Sequence, residues 1–255
     1  MQLVLPDKLL PITIYYHDIN FWVEVISIIV FFIGGCVLLK RKPNELDTHK
    51  HIKIGYAMFA WFFALCRIFF ILGVWFPGSS SSTTILGITF PPNFDLYEFF
   101  TVIGYVWSAI GMSSVIFVLE KYLITKTHRF FTILAILLDC IYSLTVVLMG
   151  MQIQSFFGRD FALLLSDVMS PVLTAVILIL YIYLAVKGTA TLRRNAILII
   201  IAIGFIGIAT ILDGESMVAN AATWFPLNSL TLDIYYACAP GVMTIGIIIF
   251  VKVTY

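Results

Sequence analysis

The chain has 255 residues, 61% of them hydrophobic and 11% charged, with a formal net charge of +1. Soluble globular domains carry about 25% charged residues, so a mean hydropathy of +1.04 leaves too little polar surface to face water. Lipid is the expected solvent and the first expected partner, and the near-neutral charge argues against nucleic acid as another.

The N-terminal stretch MQLVLPDKLLPITIYYHDIN has no basic segment leading into a long apolar core, and Pro6 and Pro11 interrupt it. It reads as a short extracellular segment at the membrane interface, not as a cleaved signal peptide. A helical span needs about 20 mostly apolar residues, and seven runs in the chain qualify. They are Phe21–Leu39, Ile52–Phe76, Leu96–Leu119, Phe130–Met149, Phe161–Val186, Ala196–Leu212 (with room to run on towards Ala222) and Leu232–Val251. The expected architecture is therefore all-α: one seven-transmembrane-helix bundle over residues 1–255, multi-pass in the plasma membrane. Pro171 and the Ala239-Pro240-Gly241 run predict kinks in spans five and seven. The Pro/Gly/Ser-rich loop PGSSSSTTILGITFPP after span two reads as flexible.

Basic residues set the expected orientation. Lys40, Arg41, Lys42, Lys50 and Lys53 follow span one, and Lys121, Lys126 and Arg129 follow span three. Lys187, Arg193 and Arg194 follow span five, Lys252 closes span seven, and the opposite loops hold only Lys8 and Arg159. An excess of Lys and Arg in short loops marks the cytoplasmic side, which places the N-terminus outside and the C-terminus in the cytoplasm. The chain ends four residues after span seven, leaving no expected output domain.

Ionisable groups inside spans are costly and tend to face a bundle interior or a wet cavity. Arg67 lies fifteen residues into span two, ~22 Å from the cytoplasmic end at ~1.5 Å per residue. Asp139 is near the midplane of span four, and Asp167 is six residues into span five. Asp95 and Glu98 open span three, Asp213 and Glu215 close span six, Asp233 opens span seven, and Glu24 lies just inside span one. Together they outline an acidic vestibule open to the outside with Arg67 as its counter-ion. The candidate ligand-binding or ion-pathway residues are Arg67, Glu98, Asp139, Asp167, Asp213, Glu215 and Asp233. The residues at helix ends also admit a purely structural reading, as wetted side chains or helix caps. Arg67 is expected to pair with Asp139 or Asp167, the carboxylates nearest to it in depth. Ser166, Ser170 and Thr174 in span five, Tyr235 and Tyr236 in span seven, and Tyr105, Trp107, Ser108, Ser113 and Ser114 in span three supply polar neighbours. Small and hydroxylated residues at helix contacts are the bland alternative.

Cys36, Cys66, Cys140 and Cys238 each sit in an apolar run without a CxxC pair or a nearby histidine, and read as packing residues. No histidine lies within a span and no HExxH or GxSxG occurs. No metal, cofactor or enzymatic chemistry is therefore expected.

Seven spans with an outside N-terminus resemble rhodopsins, G-protein-coupled receptors and the seven-helix input modules of prokaryotic kinases in layout. A retinal pigment needs a lysine midway along span seven, and Ile234–Phe250 has none. Glu120-Lys121-Tyr122 is similar to the Asp/Glu-Arg-Tyr motif of coupled receptors, but its arginine is replaced. Span seven also lacks Asn-Pro-x-x-Tyr, and the tripeptide is read as chance. No family is assigned. The leading expectation is a receptor-like or sensory module that binds a small ligand or cation from outside and signals through a separate protein partner or oligomer. The alternatives are a proton- or cation-coupled secondary transporter, with Asp139 as carrier site and Arg67 as its switchable partner, and a structural subunit of a membrane complex.

The orientation is open to test with single cysteines introduced as Lys50→Cys, Lys126→Cys and Arg193→Cys in a background lacking the four native ones. They are expected to resist impermeant thiol reagents in intact cells and to react after permeabilisation. Labelling of Lys126→Cys from outside would overturn the arrangement.

Overall fold

The structure is a computed structural model and describes residues 19–40, 46–75, 83–85, 88–90, 96–150, 159–212 and 230–255. Its long helices are α1 (Ile19–Leu39), α2 (Asp47–Trp75), α3 (Leu96–Tyr122), α4 (Phe130–Gly150), α5 (Arg159–Lys187), α6 (Ala190–Leu212) and α7 (Leu230–Thr254). All seven are long and apolar enough to cross a membrane. Each contains the span expected from the sequence, apart from Phe76, where the described part of α2 stops one residue short. Several run one to six residues past the apolar core at the ends that carry the charges. α2, for instance, starts at Asp47, a carboxylate in a first turn where free N–H groups and the helix dipole favour it.

The loop expected to be flexible contains a short antiparallel hairpin instead. β1 (Thr83–Ile85) pairs with β2 (Ile88–Phe90) in the register Thr83↔Phe90, Thr84↔Thr89 and Ile85↔Ile88. The physical cause lies in the residue types: both strands consist of β-branched and aromatic residues, which favour extended backbone.

Consecutive helices pack as neighbours, α1 also meets α7, and α3 also meets α5. The result is a closed ring with α3 crossing towards its centre. Cross-helix contacts fix the directions. Phe31 stacks on Phe63 and Phe21 on Trp75, so α1 and α2 are antiparallel. Gly55 abuts Val118 while Gly73 abuts Tyr97, so α2 and α3 are antiparallel too. Ser27 meets Thr244 and Gly34 meets Val251, so α1 and α7 run parallel. This up-and-down path collects Lys40, Lys50, Lys121, Lys126, Arg129, Lys187, Arg193, Arg194 and Lys252 at one end of the bundle, called the basic end below.

α3 is the central helix, with 67% of its span buried, and α4 the most peripheral, with 28%. On α4 the exposed residues Phe130, Ile133, Leu137, Ile141 and Leu144 recur at helical spacing, and on α1 Trp22, Ile26, Ile29 and Ile33 do the same. Such apolar stripes suit hydrocarbon, not water. Cys36, Cys140 and Cys238 also face out of the bundle, and only Cys66 packs inside, which corrects the expectation of four packing cysteines.

Between α2 and α3 the backbones approach closely at glycine. A Cβ on Gly104 would sit 2.6 Å from Phe70 Cε1 and 3.0 Å from the Cys66 carbonyl oxygen, whereas one on Gly204 would meet nothing within 4 Å. Gly104→Ala is therefore expected to destabilise the bundle by about 1–3 kcal/mol through overpacking. Gly204→Ala is expected to be neutral or to stabilise by up to about 1 kcal/mol through helix propensity. Thermal unfolding in detergent compares the two, and equal midpoints would contradict the close approach of α2 and α3.

Candidate functional site

Arg67 is the largest fully buried side chain described, 1% exposed, and three helices converge on it. Its Nη1 donates to Glu24 Oε1 of α1 at 2.9 Å, and Nη2 points to Met243 Sδ of α7 at 3.4 Å. The guanidinium carbon lies 5.2 Å from the centre of the Phe70 ring one turn along α2, a cation–π distance. Glu24 is buried with it. The expectation that Glu24 behaves as a wetted helix-end residue is thus overturned, and so is the expected Arg67–Asp139 pair.

One turn further along α1, Ser27 extends the polar link to α7. Its hydroxyl lies 3.0 Å from the Pro240 carbonyl oxygen and 2.6 Å from Thr244 Oγ1, and Thr244 Oγ1 lies 2.7 Å from the same carbonyl. Pro240 interrupts α7 within its helical run. Lacking an N–H, it leaves the carbonyl one turn earlier without its usual donor. The weak point of α7 is therefore the place where α1 grips it, through Ser27 directly and through Glu24 by way of Arg67.

Asp139 lies elsewhere. It is half-buried on α4 and faces the Ser113 hydroxyl of α3, and it makes no ion pair among the described residues. Asp139 Oδ1 and Ser113 Oγ are both shielded from solvent with no hydrogen bond of normal geometry. Of the other candidate residues, Glu98, Asp167 and Asp233 belong to α3, α5 and α7, but their side chains lie outside the described residues, as do Asp213 and Glu215 altogether. The helix positions of Glu98, Asp167 and Asp233 share with Glu24 the end of the bundle opposite the basic one. The expected vestibule thus falls outside the described residues.

Towards the basic end, the Tyr56 and Tyr181 hydroxyls bond each other between α2 and α5. Deeper in, a cavity of about 10 Å³ is lined by Phe59, Met112, Thr174, Ile203, Ile206 and Phe250, room for one water at most. Thr174 turns its hydroxyl to Met112 Sδ, so the wall is essentially apolar.

Glu120 has a role that the sequence did not reveal. Its buried carboxylate accepts from Phe131 N at 3.2 Å, Thr132 N at 2.6 Å and Thr132 Oγ1 at 2.7 Å. It caps the start of α4 from the end of α3, satisfying N–H groups that a first turn leaves free. Between them the chain turns through a 3₁₀ segment, Thr125–Thr127, and through His128 and Arg129 at φ of 48° and 63°. The first residue of the Glu-Lys-Tyr tripeptide is therefore a structural clamp, since it holds the α3–α4 connection. A carboxylate within the last turn of α3 is placed to reach the first turn of α4, and Glu120 occupies that position.

No family model, curated protein or solved structure matches the chain.

Arg67→Leu and Glu24→Gln should each cost about 3–5 kcal/mol, because each removes one partner of a buried ion pair. The double variant should recover part of the summed loss, whereas Arg67→Leu with Asp139→Asn should be additive. Thermal midpoints in detergent decide it, and additivity for Glu24 with Arg67 would show that the two are not coupled.

Proposed function

We propose that this chain is a receptor-like or sensory seven-helix module of the plasma membrane, with its N-terminus outside and its C-terminus in the cytoplasm. In this reading the Glu24–Arg67 link is the element on which a ligand acts. The observation that carries it is the convergence of α1, α2 and α7 on one buried ion pair beside the Pro240 interruption. A buried ion pair adds little net stability over apolar residues of the same shape, and its best-attested use is to specify one arrangement or switch between two. A small cation or cationic ligand entering from outside competes with Arg67 for Glu24. Once Glu24 is taken, Arg67 loses its hold on α1, and α7 is freed to swing about Pro240. The motion emerges at the basic end, where exposed Lys50, Lys126, Arg193 and Arg194 present a positive surface to an acidic cytoplasmic partner.

Seven helices on an up-and-down path, with the Lys and Arg of their connections gathered at one end, support the orientation. The transporter alternative required Arg67 as the switchable partner of Asp139, and that pairing has no support here.

The test is a distance measurement across the basic end. Spin labels at Lys50→Cys and Lys252→Cys, in a background without native cysteines and in lipid nanodiscs, should shift their distance distribution when Glu24→Gln is added. An unchanged distribution in a variant that is measurably less stable would reduce the ion pair to a structural element and remove the basis for the sensor reading.

A further inference from the structure

Among the buried hydroxyls in the spans, Ser113 stands apart. Ser108, Thr145 and Thr210 all bond back to a carbonyl three or four residues earlier in their own helix. Ser113, only 8% exposed, does not, and its oxygen has no partner among the described residues. It is turned across the α3–α4 interface to Asp139, whose Oδ1 is equally unsatisfied. Asp139 lies nine residues from Phe130 and eleven from Gly150, ~14 Å and ~16 Å from the helix ends at ~1.5 Å per residue. That is the middle of a hydrocarbon layer ~30 Å thick. The part of Asp139 not covered by protein therefore faces lipid, because α4 is the most peripheral helix, and a side chain this short cannot reach the interface.

A carboxylate in that position without a counter-charge is among the least favourable arrangements in a membrane protein. No cation is near it among the described residues. α3 presents Ser113, and its nearest ionisable groups towards the basic end are Glu120, engaged as the cap of α4, and beyond it Lys121 and Tyr122. Tyr105 lies two turns the other way. On α5, Ser170 pairs with Ser108 and Thr174 with Met112, a parallel register that levels Asp167 with Tyr105, about 12 Å along the helix axis from Ser113. Tyr181 of α5 is engaged with Tyr56, and Tyr183 and Lys187 lie further towards the basic end. On α4 itself the neighbours are Cys140, which faces out, and Tyr142.

We propose that Asp139 and Ser113 form a proton-binding site at the midplane of the α3–α4 interface. In the resting bundle the Asp139 carboxyl carries a proton taken from water and donates it to Ser113 Oγ, which satisfies both oxygens and leaves no net charge in the hydrocarbon. A proton is the ligand that fits, because two carboxylate oxygens and one hydroxyl fall short of the six or more oxygens that hard metal cations require. Separation of α3 from α4 would wet the pair and release the proton, coupling helix movement to protonation. The site is independent of the Glu24–Arg67 pair and stands or falls separately from the sensor reading.

Infrared difference spectroscopy on the full chain in lipid nanodiscs near pH 7 is the test. Wild type minus Asp139→Asn should show a carboxylic-acid carbonyl stretch that shifts in deuterated water, and Ser113→Ala should move that stretch to higher frequency as the hydrogen bond is lost. Carboxylate stretches in place of the acid band would overturn the proposal. An acid band unmoved by Ser113→Ala would remove Ser113 from the site and overturn it as a pair. Should Asp139→Asn not fold, titrating wild type against Ser113→Ala reads the same band: under the proposal it disappears at a different pH in the two proteins, and coincident titrations reject it.

Discussion

A guanidinium cannot shed its proton when it is buried. That single constraint organises the α1–α2–α7 side of the bundle. Arg67 lies too far from either end of α2 to reach water, so a carboxylate has to be brought to it, and among the described residues Glu24 does so. Bringing Glu24 there fixes both the rotation and the depth of α1. Phe31 then falls on Phe63, Gly34 on Val251 and Ser27 on Pro240, and the ring closes between its first and last helices. Aliphatic helices gain little from hydrophobic driving force once in lipid, and close packing and interhelical polar contacts hold them together instead. The ion pair and the serine contact are the polar part of that closure, and the glycine approaches are the packing part.

The same contacts explain why α7 tolerates a proline near its middle. The broken hydrogen bond leaves a helix free to bend, yet Pro240 is followed one turn later by Thr244, which returns a bond to the Pro240 carbonyl, and Ser27 reaches the same oxygen from α1. Met243, between them, touches the guanidinium. The backbone around Pro240 is therefore held by residues that adjoin the Arg67 network. Pro171 in α5 has no equivalent charged neighbour among the described residues; beside it Ser170 faces Ser108 of α3.

The number and extent of the spans were legible because an apolar run of about 20 residues matches the thickness of a bilayer and little else in protein structure. The partner of Arg67 was legible too, but only with both depths measured from one end. Glu24 is fifteen residues from Leu39, and Arg67 fifteen from Ile52, so on two antiparallel neighbours they lie at the same ~22 Å from the basic end. Measured from the outer end alone Glu24 looks interfacial, whereas Asp139, nine residues from Phe130 at the basic end, looks deep, and so it wrongly appears the better match for Arg67. Which face of α4 carries Asp139 could not be read, because α4 is apolar almost all round and its lipid-facing stripe is as apolar as its packed one. The role of Glu120 was hidden for another reason. A cap supplied across a turn by the preceding helix leaves none of the local spacing that marks a capping box.

That clamp also bears on how α4 can move. Its carboxylate takes two backbone N–H groups and one hydroxyl from the first turn of α4, and hydrogen bonds to a charged acceptor are about twice as strong as neutral ones. The basic end of α4 is thus held to α3 more firmly than its length, which meets its neighbours through apolar contacts and small residues. A displacement of α4 away from α3 has its pivot at Glu120 and grows towards the opposite end. Ser113 and Asp139 sit seven residues along from Glu120 and from Thr132 respectively, ~10 Å from the pivot on either helix, far enough to open while the clamp stays closed. These two buried polar pairs therefore differ in kind: Glu24 and Arg67 are bound to each other across helices that must move together, whereas Ser113 and Asp139 face each other across a seam that, among the described residues, is clamped at its basic end.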